Sequence, residues 1–394
     1  MPEGLGILLR APQPFFEARG TPLAVRALVT ALVGLGHRVD LLSFPQGEDV
    51  SLAGLTHRRS LRLPVGRVRA GASFAKLALD LPFMLEAFAR MASGSYDVVH
   101  AVEEAALLAA PWARLLGLPL VVDVDSSIPE QLRYSGFARR GPLPWLAEAL
   151  ETHALRHSAA VITVCTSLTE RVRAKAPQAR VFQIEDPPLV DPSQPPPPEA
   201  AAELRRTLGL GPDPVVLYSG NFEPYQGVTL LLDAAARTVE AQFVFMGGEP
   251  GEIEALRARV AASGARCVFA GKRPPSELPA FLALADVLVS PRTRGENTPF
   301  KVYTYLASGK PLVATRIPTH TQLLDDALAF LVDPSAEGLA EGVRRALTHP
   351  EEARARAAAA RALIEREYSA ARYLEKVARA YGEVAARLAE ARPE

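Results

Sequence analysis

The sequence predicts an α/β chain of two domains, each built from successive βαβ units. Three observations carry this. Short β-branched and aliphatic runs alternate with longer amphipathic segments along the whole chain. The alternation falls into two series, and a proline-rich stretch separates them. A length of 394 residues also exceeds what one ordinary hydrophobic core accommodates.

In the first series the strand-like runs are residues 5–9, 38–42, 98–102, 120–124 and 161–164, with helical spacing at 22–35, 74–91 and 143–157. The second series places strands at 215–219, 242–246, 267–270, 287–290 and 311–314. Helices follow at 228–239, 252–263, 276–284 and 301–308. Between the series, the prolines from Pro187 to Pro198 form a stiff, extended spacer that a sheet cannot absorb. The predicted domains are therefore residues 1–186 and 201–368, with a linker over 187–200. The tail, 369–394, is rich in Ala, Glu and Arg at helical spacing.

Composition excludes several classes. Lysine plus arginine equals aspartate plus glutamate, 44 each, so the whole chain carries no nucleic-acid signature. Cys165 and Cys267 both lie in apolar runs and read as small buried hydrophobes in a reducing compartment. The N-terminus lacks the basic and apolar regions of a secretion signal. No apolar run approaches the roughly 18 residues of a spanning helix. The expectation is a soluble cytoplasmic protein. Arg58, Arg59, Arg62, Arg67, Arg69 and Lys76 nonetheless precede an apolar helix. The segment 57–88 is thus open to three readings: a peripheral contact with anionic lipid at the inner membrane face, a receptor for an anionic acceptor, or a solvated surface.

In doubly wound domains ligands sit beyond the carboxyl ends of the strands, so the loops there hold the candidate chemistry. The most informative is residues 290–315, SPRTRGENTPFKVYTYLASGKPLVAT, a strand, a charged loop, a helix and a second strand. The loop and helix start carry Arg292, Arg294, Glu296, Asn297, Thr298 and Lys301, and amides at a helix N-terminus suit a phosphate. A second loop, YSGNFEPYQG over 218–227, joins a strand to a helix. A third, PFFEARGTP over 14–22, holds Gly20, where backbone approach is close, then Thr21 and Pro22, which suit a helix start. A fourth, VDVDSS over 122–127, puts Asp123 and Asp125 at a strand end, where either orients a substrate hydroxyl or caps the next helix.

These motifs resemble the retaining GT-B glycosyltransferases of family four, the glycosyl transferases group 1, and the resemblance covers nearly the whole chain. Residues 309–315, GKPLVAT, match that family's GKPVVAT, and Glu296 falls at the first position of its Glu-x7-Glu pair. The loop at 218–227 is similar to its G-R-x4-K-G pattern. The resemblance implies two facing Rossmann-like doubly wound domains, with the C-terminal helix crossing back to the N-terminal, acceptor-side domain. It implies transfer of a hexose-type sugar from a nucleoside-diphosphate sugar to a hydroxyl acceptor (glycan, lipid or small molecule), with retention and without a metal or other cofactor. Glu296 would bind donor-sugar hydroxyls, Gly20 would border the donor phosphate, and Asp123 and Asp125 would sit beside sugar and acceptor. Gly247, in a tight strand-to-helix turn, would approach the nucleotide, and Arg273 would contact the base.

The chain departs from the pattern at three points. Asn221 and Gln226 stand where the family has the Arg and Lys of its diphosphate clamp, and Thr304 stands at the second acidic, ribose-binding position. Two amides still donate hydrogen bonds but add no charge. Arg294 and Lys301, in the loop that carries Glu296, are the candidates to restore it. These departures keep two other readings open: a GT-B nucleotide-sugar epimerase, and a non-catalytic module that binds a nucleotide sugar or a partner protein.

Weaker signals complete the reading. His153 and His157, four apart on a helix, read as a solvated face and not as a metal site, since no HExxH or carboxylate-rich segment accompanies them. His100 ends the run DVVH and either lines the site or is packed in the core.

Overall fold

The computed structural model describes residues 4–17, 20–64, 74–134 and 142–391. The chain divides into two compact units. Unit 1 comprises residues 1–185 with 373–394, and unit 2 comprises residues 186–372. Arg67 and Arg69 of the basic segment lie outside the described residues.

Among the described residues, unit 1 is built on seven parallel strands: β1 (Gly6–Ala11), β2 (Arg38–Ser43), β3 (Leu55–Arg59), β4 (Val98–Val102), β5 (Leu120–Val124), β6 (Ala160–Thr163) and β7 (Val181–Gln183). Their order is β3-β2-β1-β4-β5-β6-β7. The chain thus winds outward in one direction from β1 and then in the other from β4, leaving a switch point between them. The central strands are buried on both faces, which is why they read as nearly continuous apolar runs. Along β1, Leu8 faces one core while Ile7, Leu9 and Ala11 face the other. The C-terminal helix Ala370–Ala391 closes that second face with Val377, Ala380, Tyr381 and Val384.

Unit 2 repeats the plan with six parallel strands: β8 (Val215–Ser219), β9 (Gln242–Met246), β10 (Cys267–Gly271), β11 (Val287–Ser290), β12 (Leu312–Thr315) and β13 (Phe330–Val332). The order is β10-β9-β8-β11-β12-β13, with the switch point between β8 and β11. One core packs Val215, Leu217 and Leu288 against Tyr303, Tyr305 and Leu306 of the helix Phe300–Ala307. The other packs Val216, Tyr218 and Val289 against Leu231, Leu232 and Val343.

Two differences from the sequence reading are physical. The strands β3, β7 and β13 were not predicted, and all three are sheet edges of three to five residues. Edge strands are short and often polar, so they lack the buried-strand signature; β3 reads LTHRR. The proline segment, predicted as a free spacer, is pinned on unit 2. The Leu189 amide donates to Thr304 Oγ1 at 3.0 Å, Val190 packs on the core, and the helix Pro198–Thr207 begins inside the expected linker.

Candidate active site

The loops after β8, β9 and β11 converge at the switch point of unit 2. Close main-chain approach requires glycine at two of the turns. Gly220 has φ +141°, and a Cβ there would lie 2.7 Å from Lys301 Nζ. Gly247 has φ +122°, and a Cβ there would lie 2.0 Å from the Gly220 carbonyl oxygen. Only glycine adopts these conformations without strain, so the chain presents bare backbone where the two loops meet.

Lys301, in the first turn of Phe300–Ala307, reaches into this junction. Its ammonium donates to Gln226 Oε1 at 3.2 Å and lies 4.0 Å from the centroid of the Tyr218 ring. No carboxylate among the described residues forms an ion pair with it. Burial, and then the charge of Arg292, lower its proton affinity well below that of an ordinary lysine. Gln226 is itself buried. The helix is fixed from the other side by Tyr305, whose hydroxyl accepts the Ser219 amide at 2.7 Å.

Arg292 is no solvated loop charge. It is buried, donates to the Asn297 carbonyl at 2.9 Å and to Asn297 Oδ1 at 3.2 Å, and lies over the Tyr225 ring at 5.2 Å. It therefore shapes the loop that carries Glu296. Glu296 is half-buried, and its carbonyl accepts from Gln322 Nε2 at 2.9 Å. Thr298 is buried at the helix entrance, whereas Arg294 is exposed. Beneath the loop, buried His320 donates from Nδ1 to the Thr315 carbonyl at 2.8 Å and meets Ser290 Oγ through Nε2 at 2.8 Å. Burial, chiefly, pulls its imidazole down to about 4. His320 is absent from the sequence reading because nothing in its local pattern marks it.

The remaining predicted donor-side residues are spread more widely. Asn221 is exposed, and its Oδ1 accepts the Glu223 amide at 3.3 Å, so it shapes its own turn. Thr304 is 1 % exposed, and its hydroxyl is occupied by the Leu189 amide. Arg273 folds back on its own loop, donating to the Ala270 carbonyl at 3.0 Å. In unit 1, Gly20 opens the first helix, and a Cβ there would meet nothing within 4 Å, so no close approach within the chain demands glycine.

Unit 1 gathers a second polar group beside its own switch point. Asp123 and Asp125, at and just beyond the end of β5, are both buried. Glu103, the residue after β4, adopts φ +50°, uncommon for a residue with a side chain. Its amide donates to the Asp123 carbonyl at 2.9 Å. Its carboxylate accepts from Gln13 Nε2 at 2.8 Å and from Ser126 Oγ at 2.7 Å, and burial, then Glu104, raise its proton affinity. The sequence reading passed over Glu103, although its place directly after a central strand was the available signal. His100 is fully buried behind Asp123. His153 and His157 lie on one helix with rings 4.1 Å apart.

The basic segment is partly neutralised. Arg58 pairs with Asp40 at 3.2 Å, Arg59 with Asp49 at 2.8 Å and Lys76 with Glu104 at 2.5 Å. The helix Phe74–Ser93 leaves Leu81 and Leu85 exposed. No described helix is long and apolar enough to cross a membrane.

Two Rossmann-like units, with a glycine-lined cation site at the switch point of the second, define the GT-B architecture. The description "Glycosyl transferases group 1" matches residues 213–349, and "Glycosyl transferase 4-like domain" matches residues 19–187. Together these stretches span most of the chain, which belongs to the group 1 glycosyltransferases. Over 353 residues it is 29 % identical to alpha-D-kanosaminyltransferase of Streptomyces kanamyceticus, covering 84 % of this chain and 90 % of that one. It is 26 % identical over 336 residues to the phosphatidyl-myo-inositol mannosyltransferase of Mycobacterium leprae, covering 84 % and 83 %. Among solved structures, sucrose-phosphate synthase from Thermosynechococcus elongatus superposes with a TM-score of 0.79 at 21 % identity, covering 97 % of this chain and 100 % of that one.

Proposed function

We propose that this glycosyltransferase takes its sugar from a nucleoside diphosphate held by unit 2 and passes it to a hydroxyl acceptor with retention of configuration. The observation that carries the reading is Lys301. It is a desolvated ammonium without a carboxylate partner among the described residues, set against bare glycine backbone and the start of a helix. A diphosphate supplies the missing anion and restores the lysine's proton affinity. The residue thereby replaces the charge that Asn221 and Gln226 lack. Arg294, exposed on the same loop, adds charge at the rim.

In this reading Glu296 hydrogen-bonds the donor-sugar hydroxyls, and Asp123 and Asp125 orient the acceptor. The bond from the anomeric carbon to the β-phosphate oxygen breaks, and its electron pair leaves with the phosphate. The acceptor oxygen bonds to the same face of the sugar, and its proton passes to the departing phosphate. The protein contributes orientation and charge stabilisation, with no side-chain nucleophile and no metal required. The names of the relatives support a hexose-type sugar and leave the acceptor class broad: one transfers kanosamine, another mannosylates a phosphoinositide. For an acceptor carried on lipid, exposed Leu81 and Leu85 with Arg62 offer a peripheral contact with an anionic membrane.

Calorimetry against UDP-, GDP- and ADP-sugars tests the donor, and the anomeric configuration of the product tests retention. Turnover that survives exhaustive chelation tests metal independence. Absence of binding to every nucleotide sugar refutes the reading, and binding without transfer assigns the chain to a non-catalytic role.

A further inference from the structure

The C-terminal helix carries a side chain into the polar group of unit 1. Tyr381 lies 281 residues from His100 in the sequence, yet its hydroxyl is 2.7 Å from His100 Nδ1. The two rings are stacked, 12° from parallel, with centroids 6.3 Å apart. On its other side His100 presents Nε2 to Asp123 Oδ2 at 3.2 Å. A carboxylate only accepts, so Nε2 carries the proton toward it. In that tautomer Nδ1 is an acceptor, which Tyr381 fills with its O–H. His100 is 0 % and Tyr381 1 % exposed, so water does not compete for either bond.

This chain of bonds leaves one asymmetry. Asp123 is nine-tenths buried, and its second oxygen, Oδ1, has no hydrogen-bond partner among the described residues. A buried carboxylate oxygen without a donor is costly unless something supplies one. The neighbouring Glu103 differs, since Gln13 and Ser126 already occupy its two oxygens. Asp123 is therefore held by one oxygen and available by the other, at the carboxyl end of a strand next to the switch point.

Resting on the transfer reaction proposed above, we propose that Tyr381 is a positioning residue for that reaction: through His100 it fixes Asp123 so that Oδ1 accepts a hydrogen bond from the acceptor. The C-terminal helix thus contributes more than apolar cover to unit 1. Tyr381 touches no substrate, and its whole effect passes through Asp123.

A double-mutant cycle tests this. Y381F deletes one hydroxyl from an otherwise unchanged ring, and D123N removes the carboxylate it serves. We expect Y381F to lower kcat/KM for the acceptor by about tenfold, as the loss of one buried hydrogen bond at a site implies. Donor KM and nucleotide affinity should be unchanged. In the D123N background Y381F should have almost no further effect. H100Q, which keeps a donor toward Asp123 but offers Tyr381 a poorer partner, should fall between wild type and Y381F. An equal loss in both backgrounds, or a lowered melting temperature with unchanged acceptor kinetics, makes the relay simple packing and overturns the proposal. Altered nucleotide affinity in Y381F overturns it as well. Failure of the wild-type chain to bind any nucleotide sugar is a separate result and counts against the donor reading.

Discussion

Replacing Lys301 by methionine is the sharpest test of the donor site. Methionine keeps an unbranched apolar stem of similar length and removes the ammonium. Among the described residues that ammonium makes one hydrogen bond, 3.2 Å to Gln226, and rests over an aromatic face at 4.0 Å. Losing these is offset by relief of the buried charge, so the fold should tolerate the change, and both effects largely cancel from the affinity. What remains is the charge-assisted bond to phosphate, about 1.5–3 kcal/mol. Nucleotide affinity should therefore fall roughly 10- to 150-fold. Proton linkage gives a second readout. The proton affinity of Lys301 is lowered in the free protein, chiefly by burial, and a bound diphosphate raises it. Binding then takes up a proton between the two values, and affinity declines as pH rises through that window. Calorimetry in buffers of different ionisation enthalpy should show this uptake in wild type and not in K301M. An affinity within about twofold of wild type, or identical proton uptake, refutes the assignment.

Three further outcomes follow from the same geometry. E296Q should lower kcat about a hundredfold or more with nucleotide affinity nearly unchanged, because the bond it loses is to the sugar; loss of nucleotide binding would move Glu296 to another role. G247A puts a Cβ 2.0 Å from a main-chain oxygen at φ +122° and should cost about 2 kcal/mol or more, read by urea denaturation. An unchanged midpoint would show that the junction yields. His320 titrates near 4 in the folded protein against 6.5 in the unfolded chain, so between these values the unfolded chain binds more protons. Stability should fall by about 3 kcal/mol as pH drops from about 6.5 to about 4. Asp80, held up at about 7 chiefly by burial, acts in the opposite sense. The difference between wild type and H320N isolates the histidine, and parallel stability curves would refute its share.

The parts of the fold legible in the sequence were those where burial on both faces forces apolar runs. The central strands β1, β4, β5, β8, β9 and β11 all announced themselves in this way. The edge strands β3, β7 and β13 did not, because solvent on one side relaxes the pattern; β10, an edge as well, kept an apolar run and was legible. The candidate loops were also legible, since a doubly wound sheet fixes which ends face a ligand. What each loop residue does there was less so. Thr304 sits at a position the family resemblance links to ribose, but its hydroxyl meets the Leu189 amide 115 residues away. Arg292 reads as a loop charge until Asn297 and Tyr225 close around it. Tyr381 and His100 lie 281 residues apart, and no periodicity links them.

On the proposed donor reading, the position of Lys301 accounts for the charge missing at Asn221 and Gln226. The strands β8 and β11 are neighbours at the switch point, so the loop after one and the helix after the other open onto the same place. Coulomb energy depends on where a charge lies, not on which element carries it. A lysine reaching in from the helix therefore substitutes for one in the loop, and Gln226, 3.2 Å away, becomes its neutral partner. A charge swap follows. Q226K alone would bring two ammonium groups together in a desolvated junction and should lower stability by at least about 1 kcal/mol. In the K301M background the same substitution should recover most of the lost nucleotide affinity, because it returns one cation to the junction from the other side. If K301M/Q226K binds nucleotide no better than K301M while remaining folded, the charge acts through a geometry particular to Lys301, and the interchange of the two elements is refuted.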